Sequence, residues 1–140
     1  MAMKFPFQIV TPEESLYEDE IERVTVPTGA GEITILARHT PIISTLVPGE
    51  LRIQKDDTAL PMAVGHGFVE VRDDGRVIIL AGSAERVEDI DIEKAQAARD
   101  RAQMLMEKHE HVDDEQFAKF EGLLEKEIAR IRVATKYERK

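Results

Sequence analysis

With 140 residues, 42% of them hydrophobic and 34% charged, the chain can bury one compact core plus an appendage and is too apolar to be a disordered tail. Lys and Arg number 19 against 28 Asp and Glu, a net charge of −9, which argues against nonspecific nucleic-acid binding and for basic partner surfaces. No cysteine is present, so disulfides and thiolate metal sites are excluded; with no signal-peptide core and no apolar run near the ~20 residues of a membrane span, a cytoplasmic chain that meets a membrane only through partners is expected.

The first 90 residues or so alternate apolar with polar positions, the pattern of strands with one buried face. Phe5, Phe7 and Ile9 share one side of the first run. Ile33 and Ile35 alternate with Glu32 and Thr34, Leu51 and Ile53 with Arg52 and Gln54, and Leu60, Met62 and Val64 with Pro61 and Ala63. Thr11-Pro12, Pro27 to Gly31, Pro48-Gly49, Gly65-His66-Gly67 and Asp73-Asp74-Gly75 supply turns at intervals too short for helices. About eight or more antiparallel strands in this half predict a small sandwich or barrel. The acidic run Glu13-Glu14 with Glu18-Asp19-Glu20 reads as a solvated edge.

Near Asp91 the period changes from two to three or four. Ile92, Ala95, Ala98, Ala102 and Leu105 or Met106 form one helical stripe, with Asp91 as N-cap and Glu93 in the first turn, where the helix dipole favours negative charge. Lys108 to His111 breaks it. Asp113 with Gln116 makes a capping box and Val112 with Phe117 a hydrophobic staple for a second helix, whose stripe is Phe117, Phe120, Leu124, Ile128 and Ile131. The short connection predicts an antiparallel hairpin. The expected fold is α+β, an antiparallel β-sandwich over 1–86 followed by a two-helix hairpin over 87–140. Such a hairpin buries little alone. It must lean on the sandwich or on another protein, the first hint of a two-state element.

Catalytic patterns fail when tried. Gly29-x-Gly31 is followed by neither a helix nor Gly-Lys-Ser/Thr, so it is a tight turn rather than a phosphate loop. His39 and His66 lie in separate loops, and His109-Glu110-His111 has no third ligand at useful spacing. No nucleophile elbow surrounds Ser44 or Ser83. The residues thus predict no catalytic site and no metal.

The runs Gly31-Glu32-Ile33-Thr34-Ile35-Leu36-Ala37-Arg38-His39-Thr40-Pro41, Pro48-Gly49-Glu50-Leu51-Arg52-Ile53 and Gly65-His66-Gly67-Phe68-Val69-Glu70-Val71 resemble the epsilon-subunit family of the F-type ATP synthases. Ile9 to Glu13, Ala84-Glu85-Arg86 and Ile90-Asp91 match as well, so the resemblance covers essentially the whole chain. Departures are Thr34, Ala37 and Arg38, where the family more often has Gly, Pro and Gly, and Gly65-His66-Gly67, where it more often has Gly-Gly.

The resemblance implies a ten-stranded sandwich, a hairpin, and a non-catalytic place in the rotor: the sandwich holds the gamma subunit and sits on the c-ring, at the cytoplasmic face of the cell membrane. Glu32 matches the positions that face the ring, and His39, Thr40, Pro41, Ile42, Ile43 and Leu46 match a segment near the gamma and ring junction. Ile42, Ile43, Leu46 and Val47 either dock there or complete the core. The resemblance also implies that the hairpin, extended against alpha and beta subunits, restrains ATP hydrolysis, with Lys126, Arg130, Arg132 and Lys136 as the basic face of that tail. Some members bind ATP on the folded hairpin. Glu85, Ile90, Asp91, Ala95, Arg101 and Arg130 match their site, while Lys94 and Lys126 replace arginines, which predicts weak regulatory ATP binding at most. These cations could equally form helix-surface pairs with Glu93 or Glu127. Two other readings are a free-standing β-sandwich adaptor or ligand-binding protein, and a metal enzyme built on His39 and His66.

Overall fold

A computed structural model describes residues 3–108 and 114–138. Ten strands form one continuous sheet: β1 (Phe5–Val10), β2 (Ser15–Ile21), β3 (Arg23–Thr28), β4 (Gly31–Leu36), β5 (Ile42–Leu46), β6 (Gly49–Lys55), β7 (Thr58–Val64), β8 (Gly67–Val71), β9 (Val77–Ala81) and β10 (Ala84–Arg86). Their order is β10-β7-β6-β3-β5-β8-β9-β1-β2, with β4 paired to β3. The sheet wraps a single core in which Phe7, Ile9, Val24, Ile35, Leu51, Ile53 and Ile79 are sealed from solvent. Each such side chain contributes about 1.5–3 kcal/mol of burial, so the alternation that announced the strands also stabilises the fold.

The expected turns fall between strands. At Gly31 and Gly75 φ is +116° and +94°, a region glycine enters without a steric cost. Arg38 and Asp56 also have positive φ, at 68° and 55°, without that freedom.

Two details of the sheet depart from the sequence expectation. The sheet is not wholly antiparallel, because β1 runs parallel to β9 with Phe7 beside Val77 and Val10 beside Leu80. These strands lie at opposite ends of the sandwich half, so no hairpin dictates their direction. Strand β7 was expected to bury Leu60, Met62 and Val64 only, yet Ala63 is buried too. Its outer side is covered by the second helix, where Ala63 clusters with Ile90, Val133 and Ala134.

After β10 a single 3-10 turn (Val87–Asp89) leads to α1 (Ile92–Lys108) and α2 (Asp114–Glu138). Asp91 is the N-cap: its Oδ1 accepts the Lys94 amide at 3.1 Å. Buried Ala95 and Ala102 let α2 come close to α1, and α2 in turn lies on β6 and β7. The stripe expected on α2 is therefore buried only in part, with Phe120, Leu124 and Ile131 half-buried. Phe117 and Ile128 are exposed, whereas Glu127, Ala129, Val133 and Ala134 are buried, because α2 must serve two contact faces at once. The capping box at Asp113, the staple at Val112, and His109 and His111 lie outside the described residues.

Candidate functional site

Strands β5, β8, β9 and β1 lie side by side, and their register fixes what faces outward. Thr45 stands opposite Phe68, Phe68 opposite Leu80, and Leu80 beside Val10. Because Val69 and Ile79 point into the core, strand alternation turns Phe68 and Leu80 to the outside. The result is an apolar row with Ile43 beside it: Ile43 is 74% exposed, Phe68 52% and Leu80 47%. Isolated surface apolar residues are ordinary, but an aligned group of large ones on one sheet face makes it a candidate docking surface. Two shallow depressions flank it, one of about 370 Å³ bounded by Val10, Pro12, Phe68 and Leu80, another of about 560 Å³ bounded by Pro41, Ile43, Glu70 and Arg72. Gly67 is required here, since a Cβ would fall 1.9 Å from the Leu80 carbonyl oxygen.

The residues predicted at this junction separate. Ile43, Thr40 and Pro41 are exposed, Ile42 is half-buried against the core, and His39 hydrogen-bonds the Thr40 carbonyl through Nδ1 at 2.7 Å. Leu46 does not belong to the surface: it is 1% exposed and packs in the core, one of the two outcomes left open for that segment. Glu32 is exposed beside the β3–β4 turn and pairs with Arg52. Phe68 and Leu80 were missed. The alternation within Gly67–Val71 and Val77–Ala81 carried the signal, since their neighbours Val69 and Ile79 were the natural core candidates.

The hairpin meets the sandwich through a second set of residues. Arg130 donates from Nε to Glu85 Oε1 at 2.8 Å and from Nη1 to Glu127 Oε1 at 2.6 Å. Burial works against the Arg130 charge, but the carboxylates of Glu85 and Glu127 outweigh it and hold its pKa above the ordinary value. Lower on the same face His66 Nε2 lies 3.1 Å from Glu125 Oε2. Near the end of α2, Glu50 accepts from Lys136 Nζ at 2.7 Å and from the Tyr137 hydroxyl.

A cavity of about 290 Å³ opens between α2 and β7/β10, lined by Ala63, Val64, Ser83, Glu85, Lys126 and Arg130. Three residues of the predicted nucleotide set, Glu85, Lys126 and Arg130, are thus brought together. The others are not: Ile90 is buried against Val133 and Ala134, Asp91 caps α1, Ala95 is sealed, and Lys94 and Arg101 do not line the cavity. Of the predicted basic tail, Arg130 and Lys136 are paired to the sandwich, Lys126 Nζ lies 3.8 Å from Glu127, and Arg132 is exposed. Among the described residues no group of three metal-ligating side chains converges, and no helix is long and apolar enough to cross a membrane.

The sequence family described as ATP synthase, delta/epsilon chain, β-sandwich domain matches residues 4–87, and its long α-helix domain matches residues 88–135. The chain belongs to this family. An ATP synthase epsilon chain from Trichlorobacter lovleyi is 39% identical over 140 residues, the whole of both chains. One from Desulforudis audaxviator is 50% identical over 95 residues, 68% of this chain and 69% of that one. Among solved structures, a chain of the Euglena gracilis mitochondrial ATP synthase, determined with its OSCP, F1 and c-ring, superposes with a TM-score of 0.74 over 92% of this chain and 80% of that one. Its 24% identity speaks to the fold alone.

Proposed function

We propose that the chain is a non-catalytic central-stalk subunit of an F-type ATP synthase, turning with the rotor and coupling ion-driven rotation of the c-ring to ATP synthesis carried out by other subunits. Family membership supplies the machine, and the apolar row of Phe68, Leu80 and Ile43 supplies the surface. Gamma docks on that row, and the β3–β4 turn with Glu32 meets the polar loops of the c-ring. Contact with the membrane at its cytoplasmic face then runs through the ring. A rotor part needs stiffness rather than a reactive group, and one closed core under a continuous sheet provides it. Phe68→Glu combined with Leu80→Glu should abolish co-purification with gamma while the sandwich still melts cooperatively. Undiminished co-purification would place the docking surface elsewhere.

The hairpin is the regulatory part in this reading. Its contacts with the sandwich are few, the ion pairs Arg130–Glu85 and Lys136–Glu50 and a small apolar cluster of Ala63, Ile90, Val133 and Ala134, so the packed form and a form extended against alpha and beta subunits need differ by only a few kcal/mol. Deleting residues 87–140 should raise ATP hydrolysis by the assembled enzyme without impairing assembly. An unchanged rate would remove the inhibitory role.

A further inference from the structure

A line of ionic contacts crosses the outer surface from the β3–β4 turn to the last turns of α2. Arg52 on β6 reaches Glu32 through both terminal nitrogens, at 3.4 and 3.5 Å. Glu50 precedes Arg52 by two positions and so shares its face of β6, and Arg52 Nη1 lies 3.3 Å from Glu50 Oε1. That same oxygen accepts Lys136 Nζ at 2.7 Å, while the Tyr137 hydroxyl donates to Oε2. The side chain of Glu32 is 55% exposed and that of Glu50 13%, so one end of the line is open to a partner and the other is sheltered beneath the hairpin.

We propose that Glu32, Arg52 and Glu50 form a relay that loosens the end of the hairpin when a cationic group of a partner engages Glu32. Arg52 sits between two carboxylates at nearly equal distance. When Glu32 is occupied, the guanidinium turns fully to Glu50 Oε1 and competes there with Lys136. Two cations then share one carboxylate, and the hold on the last turns of α2 weakens. Reciprocally, a docked hairpin engages Glu50 and leaves Arg52 freer to satisfy Glu32, so hairpin docking and partner binding at this turn oppose each other. The relay goes beyond the rotor reading and is a property of the chain alone, whatever cation reaches Glu32.

Amide hydrogen exchange on the full chain without any partner tests it. Glu32→Gln should speed exchange of the amides of residues 132–137 by about 2- to 5-fold, the range of a partly exposed ion pair, while the β9 amides stay unchanged. In a Glu50→Gln background the same substitution should have no further effect, the non-additivity that defines coupling. Glu32→Asp, which keeps the charge but draws the carboxylate back from Arg52, should reproduce part of the increase. Exchange at 132–137 unmoved by Glu32→Gln, or accelerated equally with and without Glu50, overturns the relay. Because no partner is present, that failure would leave the rotor assignment untouched.

Discussion

Arg130 of α2 grips Glu85 of β10 with two nitrogens, Nε at 2.8 Å and Nη2 at 3.4 Å, and so ties the hairpin to the sandwich half by a bidentate pair. The remaining nitrogen holds Glu127, which is 5% exposed. Removing the arginine strands a buried carboxylate whose remaining ion-pair partner among the described residues is Lys126, 3.8 Å away. Arg130→Ala should therefore weaken hairpin docking by about 1–3 kcal/mol, and Arg130→Lys by less. Hydrogen exchange along α2, with the core strands as internal reference, measures both.

The same pairing bears on nucleotide. A phosphate entering the cavity must displace Glu85 from Arg130 and meets Lys126 rather than the bidentate fork of an arginine. Calorimetry should detect weak binding of ATP or none. Lys126→Arg should tighten it by about tenfold, the value of roughly 1.4 kcal/mol for a gained charge-assisted contact. Lys94→Arg should have little effect, since residue 94 does not line the cavity.

Hairpin docking should depend on pH through Glu50. Burial pushes its carboxyl up, but the bonds from Lys136 and Tyr137 and the charge of Arg52 outweigh burial, so its pKa lies below the ordinary 4.5. A depressed carboxyl stabilises the docked form above its unperturbed pKa and loses that contribution as pH falls through the lowered value. At the alkaline end Lys136 is raised above 10.5, chiefly by its bond to Glu50, so its contribution is complete below 10.5 and is lost as pH rises through the raised value. The Tyr137 chemical shift should accordingly be flat between about pH 5 and 10 and move at both ends, the alkaline step including ionisation of its own phenol, which burial and Glu50 raise above 10.0. Glu50→Gln should abolish the acid step.

Two backbone positions give opposite predictions. Arg38 sits at φ 68°, a region that glycine enters without steric cost, so Arg38→Gly should stabilise the sandwich by about 0.5–1 kcal/mol. Gly67→Ala forces a methyl group against the Leu80 carbonyl and should cost about 1–3 kcal/mol as β8 and β9 are pushed apart. Urea denaturation of each variant measures these changes.

The strand half and the hairpin were readable because alternation and helical periodicity are local. Which of two adjacent apolar residues faces inward was harder. In sequence Ile43 and Leu46 could each dock on a partner or complete the core, and only pairing with β8 turns Ile43 out and Leu46 in. Ala63 looked exposed because the helix that covers it lies about 70 residues further along the chain. The α2 stripe was incomplete for the same reason: Phe120, Leu124 and Ile131 are half-buried, but a helix with two neighbours also buries Glu127, Ala129, Val133 and Ala134 on other faces. The partners of Glu50 come from the far end of the chain, and no periodicity links Lys136 or Tyr137 to β6.

The chain has no cysteine, so a single thiol can report the docking surface directly. Phe68→Cys should react rapidly with a maleimide in the free chain and be protected at least about tenfold when gamma is bound, while Asp74→Cys in the β8–β9 turn should react equally in both. Equal labelling of Phe68→Cys with and without bound gamma would contradict the docking of gamma on this face of the sandwich.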